Sequence, residues 1–315
     1  MGLVSFNKML LVAQEDPYGT DALPTGSNVV RVGDDIAMVP IAADLVERNQ
    51  RTGFIGRTTP QLLTKRHRTI TFSVEFSGSG AAGVAPAWAP LAACCGYGVT
   101  LDPGVSVTFN ELAPSAIPGC SVYGLIDGVQ GKLLGCRGQI GWTLNLNEVP
   151  MLQFELTGIL EPLTDVTMPT PTFANHADPL PFENSSGVTG TVHGYAGCMS
   201  GYTYSAGNVY SFRNLVNCAK NIPITQRSGS GSVTMEFPTV AQFDFMGAIS
   251  DRTEAPIVIQ FEDLSGGVIV VNHPTAILNP TGPSTELEGI EMIELPFDAR
   301  SATANTAASI VITNP

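Results

Sequence analysis

The residues able to do chemistry are scattered through this chain. His67, His176, His193 and His273 are its four imidazoles, and no two stand at the HExxH spacing by which one helix face presents a pair of metal ligands. Ser228-Gly229-Ser230-Gly231-Ser232 approaches a nucleophile elbow, but the spacing is wrong and a strand follows where a helix is needed. FSGSGAAG (Phe76 to Gly83) lies between a strand and a helix, as a phosphate loop does, yet no Lys-Ser/Thr follows it. A flexible turn accounts for both. The paired acids Asp34-Asp35 and Glu262-Asp263 suit a cation or acid–base work, but both fall at strand ends, where solvated acids are common. Cys94, Cys95, Cys120, Cys136, Cys198 and Cys218 contain no Cys-x-x-Cys and are expected as reduced, small core hydrophobes. The expectation is no enzyme: no catalytic residue, metal or cofactor.

The elements that hold these residues occur twice. TITFSVEF (Thr69 to Phe76) alternates, with Ile70, Phe72, Val74 and Phe76 on one face, as a half-buried strand requires. GSVTMEF (Gly231 to Phe237) does the same and also ends on Glu-Phe. Each is followed by a helix candidate. PAWAPLAACCGYG (Pro86 to Gly98) starts on Pro and ends on Gly; TVAQFDFMGAISD (Thr239 to Asp251) offers Thr239 as N-cap and Val240, Phe243, Met246 and Ile249 as an apolar stripe. A strand follows in each copy, SVTFNEL (Ser106 to Leu112) and APIVIQFED (Ala255 to Asp263), then a strand pair, Gly138 to Leu160 and Thr275 to Ala299. The unit at 69–160 thus recurs at 231–299.

At 315 residues the chain is long enough for two β domains, expected at 1–165 and 189–315 and joined by a Pro-rich linker, 166–188. Gly (33) and Pro (23) are plentiful and charged residues are only 14%, which suits an all-β protein with many turns. The net charge of −13 argues against holding nucleic acid, because phosphate binding needs Lys and Arg. It suits a surface that DNA must pass without sticking, or simply solubility. No stretch approaches the roughly 20 apolar residues of a membrane span. The apolar run Met9 to Ala13 is too short for a signal peptide, so cytoplasmic synthesis is expected.

The N-terminal part is organised differently. EDPYGTDALPTGSN (Glu15 to Asn28) is rich in turn formers and precedes a strand, VVRVGD (Val29 to Asp34). A long loop, about 35–69, is expected next, and loops of that length are usually functional. It concentrates positive charge in an acidic chain: Arg48, Arg51, Arg57, Lys65, Arg66 and Arg68. These are candidate contacts to an acidic surface on another copy; a solvated loop or a nucleic-acid contact are the alternatives.

EDPYGTDALPTGSN, then FSGSGAAGVAPAWAPLAACCGYG (Phe76 to Gly98), then a Gly-rich strand pair ending in NEVPMLQFELTG (Asn147 to Gly158), resemble the major tail tube proteins of long, non-contractile-tailed bacteriophages. The likeness covers most of 10–160, and the second half is similar to the C-terminal part of larger members. The resemblance implies a mainly β fold of two tandem β-sandwich or barrel units, each flanked by one short α-helix. It implies three copies in a ring of pseudo-sixfold symmetry, stacked into a hollow tube in the virion after assembly in the host cytoplasm. It also implies a tape measure protein and a tail terminator as partners, and viral DNA passing through the lumen without specific binding or any membrane contact. The basic stretch would lie in the inter-ring loop. Glu148, Glu155, Glu286 and Glu288 are the candidate lumen acids.

Two other readings are kept. A tail terminator or other ring-forming virion protein would cap where a tube protein polymerises. An adhesive or carbohydrate-binding β-sandwich would need an exposed aromatic platform, and Trp88 and Trp142 are expected in the core.

Overall fold

The computed structural model describes all residues except 1, 5, 49, 51, 52, 54, 56–59, 186, 302–305, 314 and 315. The fold is mainly β, with two short helices, and the alternating segments become strands. The first half carries β1 (Lys8–Gln14), β2 (Val29–Val30), β3 (Ala37–Val46), β4 (Leu62–Glu75), α1 (Ala89–Cys94), β5 (Tyr97–Asp102) and β6 (Ser106–Glu111). It continues with β7 (Cys120–Ile126), β8 (Val129–Asn145), β9 (Met151–Leu160) and β10 (Thr164–Asp165). The second half carries β11 (Thr189–Val192), β12 (Met199–Ser205), β13 (Asn208–Tyr210), β14 (Ile224–Arg227), β15 (Ser230–Glu236) and α2 (Phe245–Ser250). There follow β16 (Glu254–Glu262), β17 (Val268–Leu278), β18 (Thr285–Leu287), β19 (Ile290–Ala299) and β20 (Ser309–Thr313).

The two halves repeat each other pairing by pairing, all antiparallel. β1–β7 is matched by β11–β16, β3–β4 by β12–β15, and β4–β9 by β15–β19. Likewise β7–β8 is matched by β16–β17, β8–β9 by β17–β19, and β8–β10 by β17–β20. The register is shared too: Glu75 stands opposite Met151, and Glu236 opposite Met292. This corrects one equivalence. APIVIQFED forms β16, the counterpart of β7, while SVTFNEL forms β6 of an added hairpin, β5–β6, whose outer edge pairs with β20. The counterpart of β8 in the second half is split into β17 and β18, both paired to β19.

The expected loop at 35–69 is largely strand. β3 and β4 form a hairpin in which Val46 lies opposite Leu62, so only 47–61 connects them. VVRVGD yields two strand residues, Val29 and Val30. α2 begins later than expected. Thr239 donates to the Gln242 side chain in a turn of its own, and Asp244 is the cap, accepting from the Gly247 N–H at 2.8 Å. Val240 and Met246 are consequently exposed, and no apolar stripe forms.

One buried cluster draws on both halves, with Phe72, Trp142 and Phe154 from the first and Tyr202, Phe261 and Phe297 from the second. The expected linker lies along the body over 166–185: Phe182 is buried and exchanges backbone hydrogen bonds with Asn147 and Glu148. Cys94, Cys95, Cys120 and Cys136 are buried, whereas Cys198 and Cys218 are exposed. Asp263 is no solvated acid. It is 2% exposed, and its carboxylate accepts from the N–H groups of Ser265 (3.0 Å), Gly267 (2.9 Å) and, across the two halves, Gly78 (3.1 Å).

At the centre of the shared core His273 is fully buried. Its Nδ1 faces the Ala307 carbonyl at 3.2 Å and must carry the proton there; Nε2 therefore accepts from the Tyr202 hydroxyl. Burial pushes its pKa down from 6.5 to about 4. Between those values the unfolded chain takes up a proton that the folded chain refuses, so this residue's contribution to stability is lost as pH falls from about 6.5 to about 4. The full loss is roughly 3 kcal/mol. Urea titrations at pH 7 and pH 4.5 should show it, and His273→Gln should flatten that part of the profile.

Candidate functional site

The strands β3, β4, β9, β8, β12, β15, β19 and β18 lie side by side in that order. The two halves join in the middle, where Gly141–Asn145 of β8 pair with Gly201–Ser205 of β12. Because side chains alternate across a sheet, one face carries Ile70, Phe72, Phe154, Trp142, Tyr202, Val233 and Leu295, all buried. The opposite face is polar.

Its residues can be followed across the strands. Thr71 lies opposite Glu155, and Glu155 opposite Gln139. In the next row Gln153 lies opposite Gly141, then come Ser205, Ser230 and Asp298. Thr143, Thr203 and Ser232 form a third, and Thr234 lies opposite Glu294. These rows hold hydroxyls, amides, glycine and acids, with no Lys or Arg among them. A shallow hollow of about 580 Å³ opens on this face, lined by Thr143, Gln153, Thr203, Ser232 and Glu294 among others.

One cation borders these rows on β8, opposite Thr157, and is directed into the body. Arg137 stands two residues before Gln139, its guanidinium 4.4 Å from the Tyr18 ring centroid. It donates to the carbonyls of Ile117, Pro118 and Ile222, so its charge is held by the fold. The Tyr210 phenol lies beside Glu155; burial first, then that carboxylate, pushes its pKa up.

No protein-family model and no curated protein matches the chain. The functional reading therefore rests on these surfaces.

Of the candidate acids, Glu155 is exposed on the polar face. Glu286 is on β18, the strand at one edge of the sheet. Glu148 and Glu288 sit in the β8–β9 and β18–β19 connections, where Asn147 (φ 62°) and Glu288 (φ 53°) adopt left-handed backbone. β9 and β19 run in the same direction, so both turns lie at one end of the sheet. Glu294 and Asp298, which sequence reasoning missed, share the face with Glu155. Their signal was there: in IELPFDA the acids alternate with the buried Leu295 and Phe297.

The basic candidates lie at the other end, where β3 turns into β4. Arg48 and Arg66 are exposed, and Lys65 pairs with Asp44 at 3.1 Å within the hairpin. Arg51 and Arg57 lie outside the described residues. Arg68 is a correction: it is 1% exposed, and its guanidinium donates to the carbonyls of Pro40 (2.9 Å), Lys132 (2.7 Å) and Glu161 (3.1 Å). The alternation that puts Ile70 and Phe72 inward puts Arg68 inward too. It ties β3 to β8 and has nothing to offer a neighbour. The hairpin also exposes Ile41, Leu45, Leu62 and Leu63.

Among the described residues, no three His, Cys, Asp or Glu side chains are grouped so as to hold a metal, and no helix is long and apolar enough to cross a membrane.

Proposed function

We propose that this chain is the tube protein of a long, non-contractile phage tail. Three copies close a ring of pseudo-sixfold symmetry, and the rings stack into a hollow tube in the virion, assembled in the host cytoplasm. A tape measure protein and a tail terminator are its further partners, and viral DNA passes through the lumen without specific binding.

The observation that carries this reading is the continuous sheet with a core on one face and, on the other, polar rows from Thr71 to Glu294 that hold no Lys or Arg. A channel for DNA needs a wall that wets easily and offers phosphates no cation, since each such contact would hold the polymer back. Hydroxyls and amides with a few acids meet that need. The sheet is also open at both ends of its strand order: the outer edges of β3 and β18 pair with no strand among the described residues. Head-to-tail contacts between unlike edges close into rings when the rotation permits.

Stacking has a basis in charge. The β3–β4 tip, with Arg48 and Arg66, leaves one end of the sheet, and the turns bearing Glu148 and Glu288 leave the other. Rings stacked in one orientation would set basic tips against acidic turns, with exposed Leu146, Leu287 and Ile290 beside them. An adhesive module is disfavoured by Trp88 and Trp142, both buried.

Electron microscopy of the purified, concentrated protein at neutral pH tests the proposal. Hollow tubes or stacked rings with threefold or pseudo-sixfold averages are expected. Rings that never stack, in any salt, would favour a terminator.

A further inference from the structure

We infer that copies of this chain join by pairing the β3 edge of one with the β18 edge of the next, in the register that β12 and β8 already use inside the chain. The inference rests on the ring reading above, and it specifies the surface, the occupant and the residues.

The repeat fixes the register. Glu75 and Glu236, opposite Met151 and Met292, are equivalent, so counting back along β4 and β15 makes Thr71 equivalent to Ser232. Ala37 lies opposite Thr71, and Thr203 opposite Ser232; Ala37 is therefore the counterpart of Thr203. On the other edge, Thr285 lies opposite Met292 and Thr143 opposite Met151, so Thr285 is the counterpart of Thr143. Inside the chain Thr203 faces Thr143. Between chains Ala37 then faces Thr285 of the next copy, and Val39 faces its Pro283.

The backbone chemistry is compatible. In the internal junction the Ala206 N–H donates to the Ile140 carbonyl and the Leu146 N–H to the Ser200 carbonyl. Tyr202 and Tyr204 are thus the β12 residues whose backbone N–H and C=O groups point at β8. Their counterparts are Ile36 and Met38, which would meet Glu286 and Ser284. Pro283 takes the place of Gly141, whose N–H is directed away from the junction, so its missing donor costs nothing there.

Two features of the single chain fit an edge awaiting its partner. The Lys8 ammonium occupies the Ile36 carbonyl at 3.2 Å, the kind of lysine cover that keeps a free edge from pairing prematurely. And the strand that is continuous in β8, where β12 covers it, is interrupted between Leu278 and Thr285, where no strand among the described residues does. Docking would release Lys8 and give Ser284 a backbone partner.

Paired cysteines test the register. In a background with the exposed Cys198 and Cys218 replaced by Ser, Ala37→Cys with Thr285→Cys forms a non-hydrogen-bonded antiparallel pair, with Cα atoms about 4.5 Å apart, within disulfide reach. Under oxidised glutathione it should give covalent trimers on non-reducing gels. Val39→Cys with Pro283→Cys, the second in-register pair, should do the same. Ala37→Cys with Glu286→Cys should not, because a one-residue slip sends the side chain to the other face. Rings that stay unlinked, or link equally well through the slipped pair, overturn the register and leave the ring reading intact. Linked trimers that never build tubes uphold the register and count against the tube. Concentrated protein that remains monomeric and unlinked overturns both.

Discussion

Tubes built from the Glu155→Lys, Glu294→Lys double variant should retain linear double-stranded DNA at low salt, where tubes of the unchanged chain release it. Both acids are exposed and both lie on the face whose rows contain no cation, so assembly should be unaffected. Each lysine that reaches a phosphate should add about one to the slope of log affinity against log salt. Two per chain, repeated along the tube, amount to a large gain in retention below about 100 mM salt that vanishes as salt screens it. DNA retention measured across a salt series, with micrographs confirming intact tubes, checks this. Retention equal to that of the unchanged tubes would mean that this face does not line the channel. The same substitutions at Glu148 and Glu288 should leave retention unchanged and weaken stacking, because those side chains leave the end of the sheet.

Asp263→Ala should cost about 3 kcal/mol of stability or more. Its carboxylate is buried and accepts from three backbone N–H groups and the Ser265 hydroxyl. Removing it leaves donors on Gly78 and Gly267 without a partner inside the protein, and hydrogen bonds to a charged acceptor are worth roughly 1.5–3 kcal/mol each. The Gly78 bond crosses from one half to the other, so the loss should show as a lower midpoint of one cooperative transition in thermal or urea melts. Asp263→Asn, which keeps a carbonyl acceptor, should recover part of it.

Much of the architecture was legible in the sequence. Strict alternation in TITFSVEF and GSVTMEF marks β4 and β15, and the order of elements after each, a helix, a strand and a strand pair, marks the duplication. The limits of the repeat were harder to see. β6 and β16 are both alternating strands of similar length, and only the pairing of β16 with β11 and of β6 with β20 shows which one corresponds to β7. The helix at 245–250 was misplaced because Val240 and Met246 keep helical spacing with Phe243 while Asp244, not Thr239, meets the first free N–H. Arg68 was grouped with its basic neighbours by charge. Counting alternate positions back from Ile70 would have turned it inward, but no local signal tells that three carbonyls from β3, β8 and the end of β9 converge there. Glu155 is on the polar face, and Glu294 and Asp298 share it by alternation with Leu295 and Phe297. Which face is polar across the whole sheet depends on long-range register, which local periodicity does not contain.

The β8–β12 junction changes how a ring would come together. In the proposed ring every second boundary between units lies within a polypeptide, made when the chain folds, so closure is an encounter of three bodies where single-unit chains would need six. Each encounter avoided spares several kcal/mol of lost translational and rotational freedom, and the two units meet at an effective concentration set by their tether. The boundaries then differ in kind: those inside a chain persist at any dilution, while those between chains obey mass action. A tube diluted or pulled apart should therefore shed whole chains, breaking along alternate seams and never through the middle of a subunit.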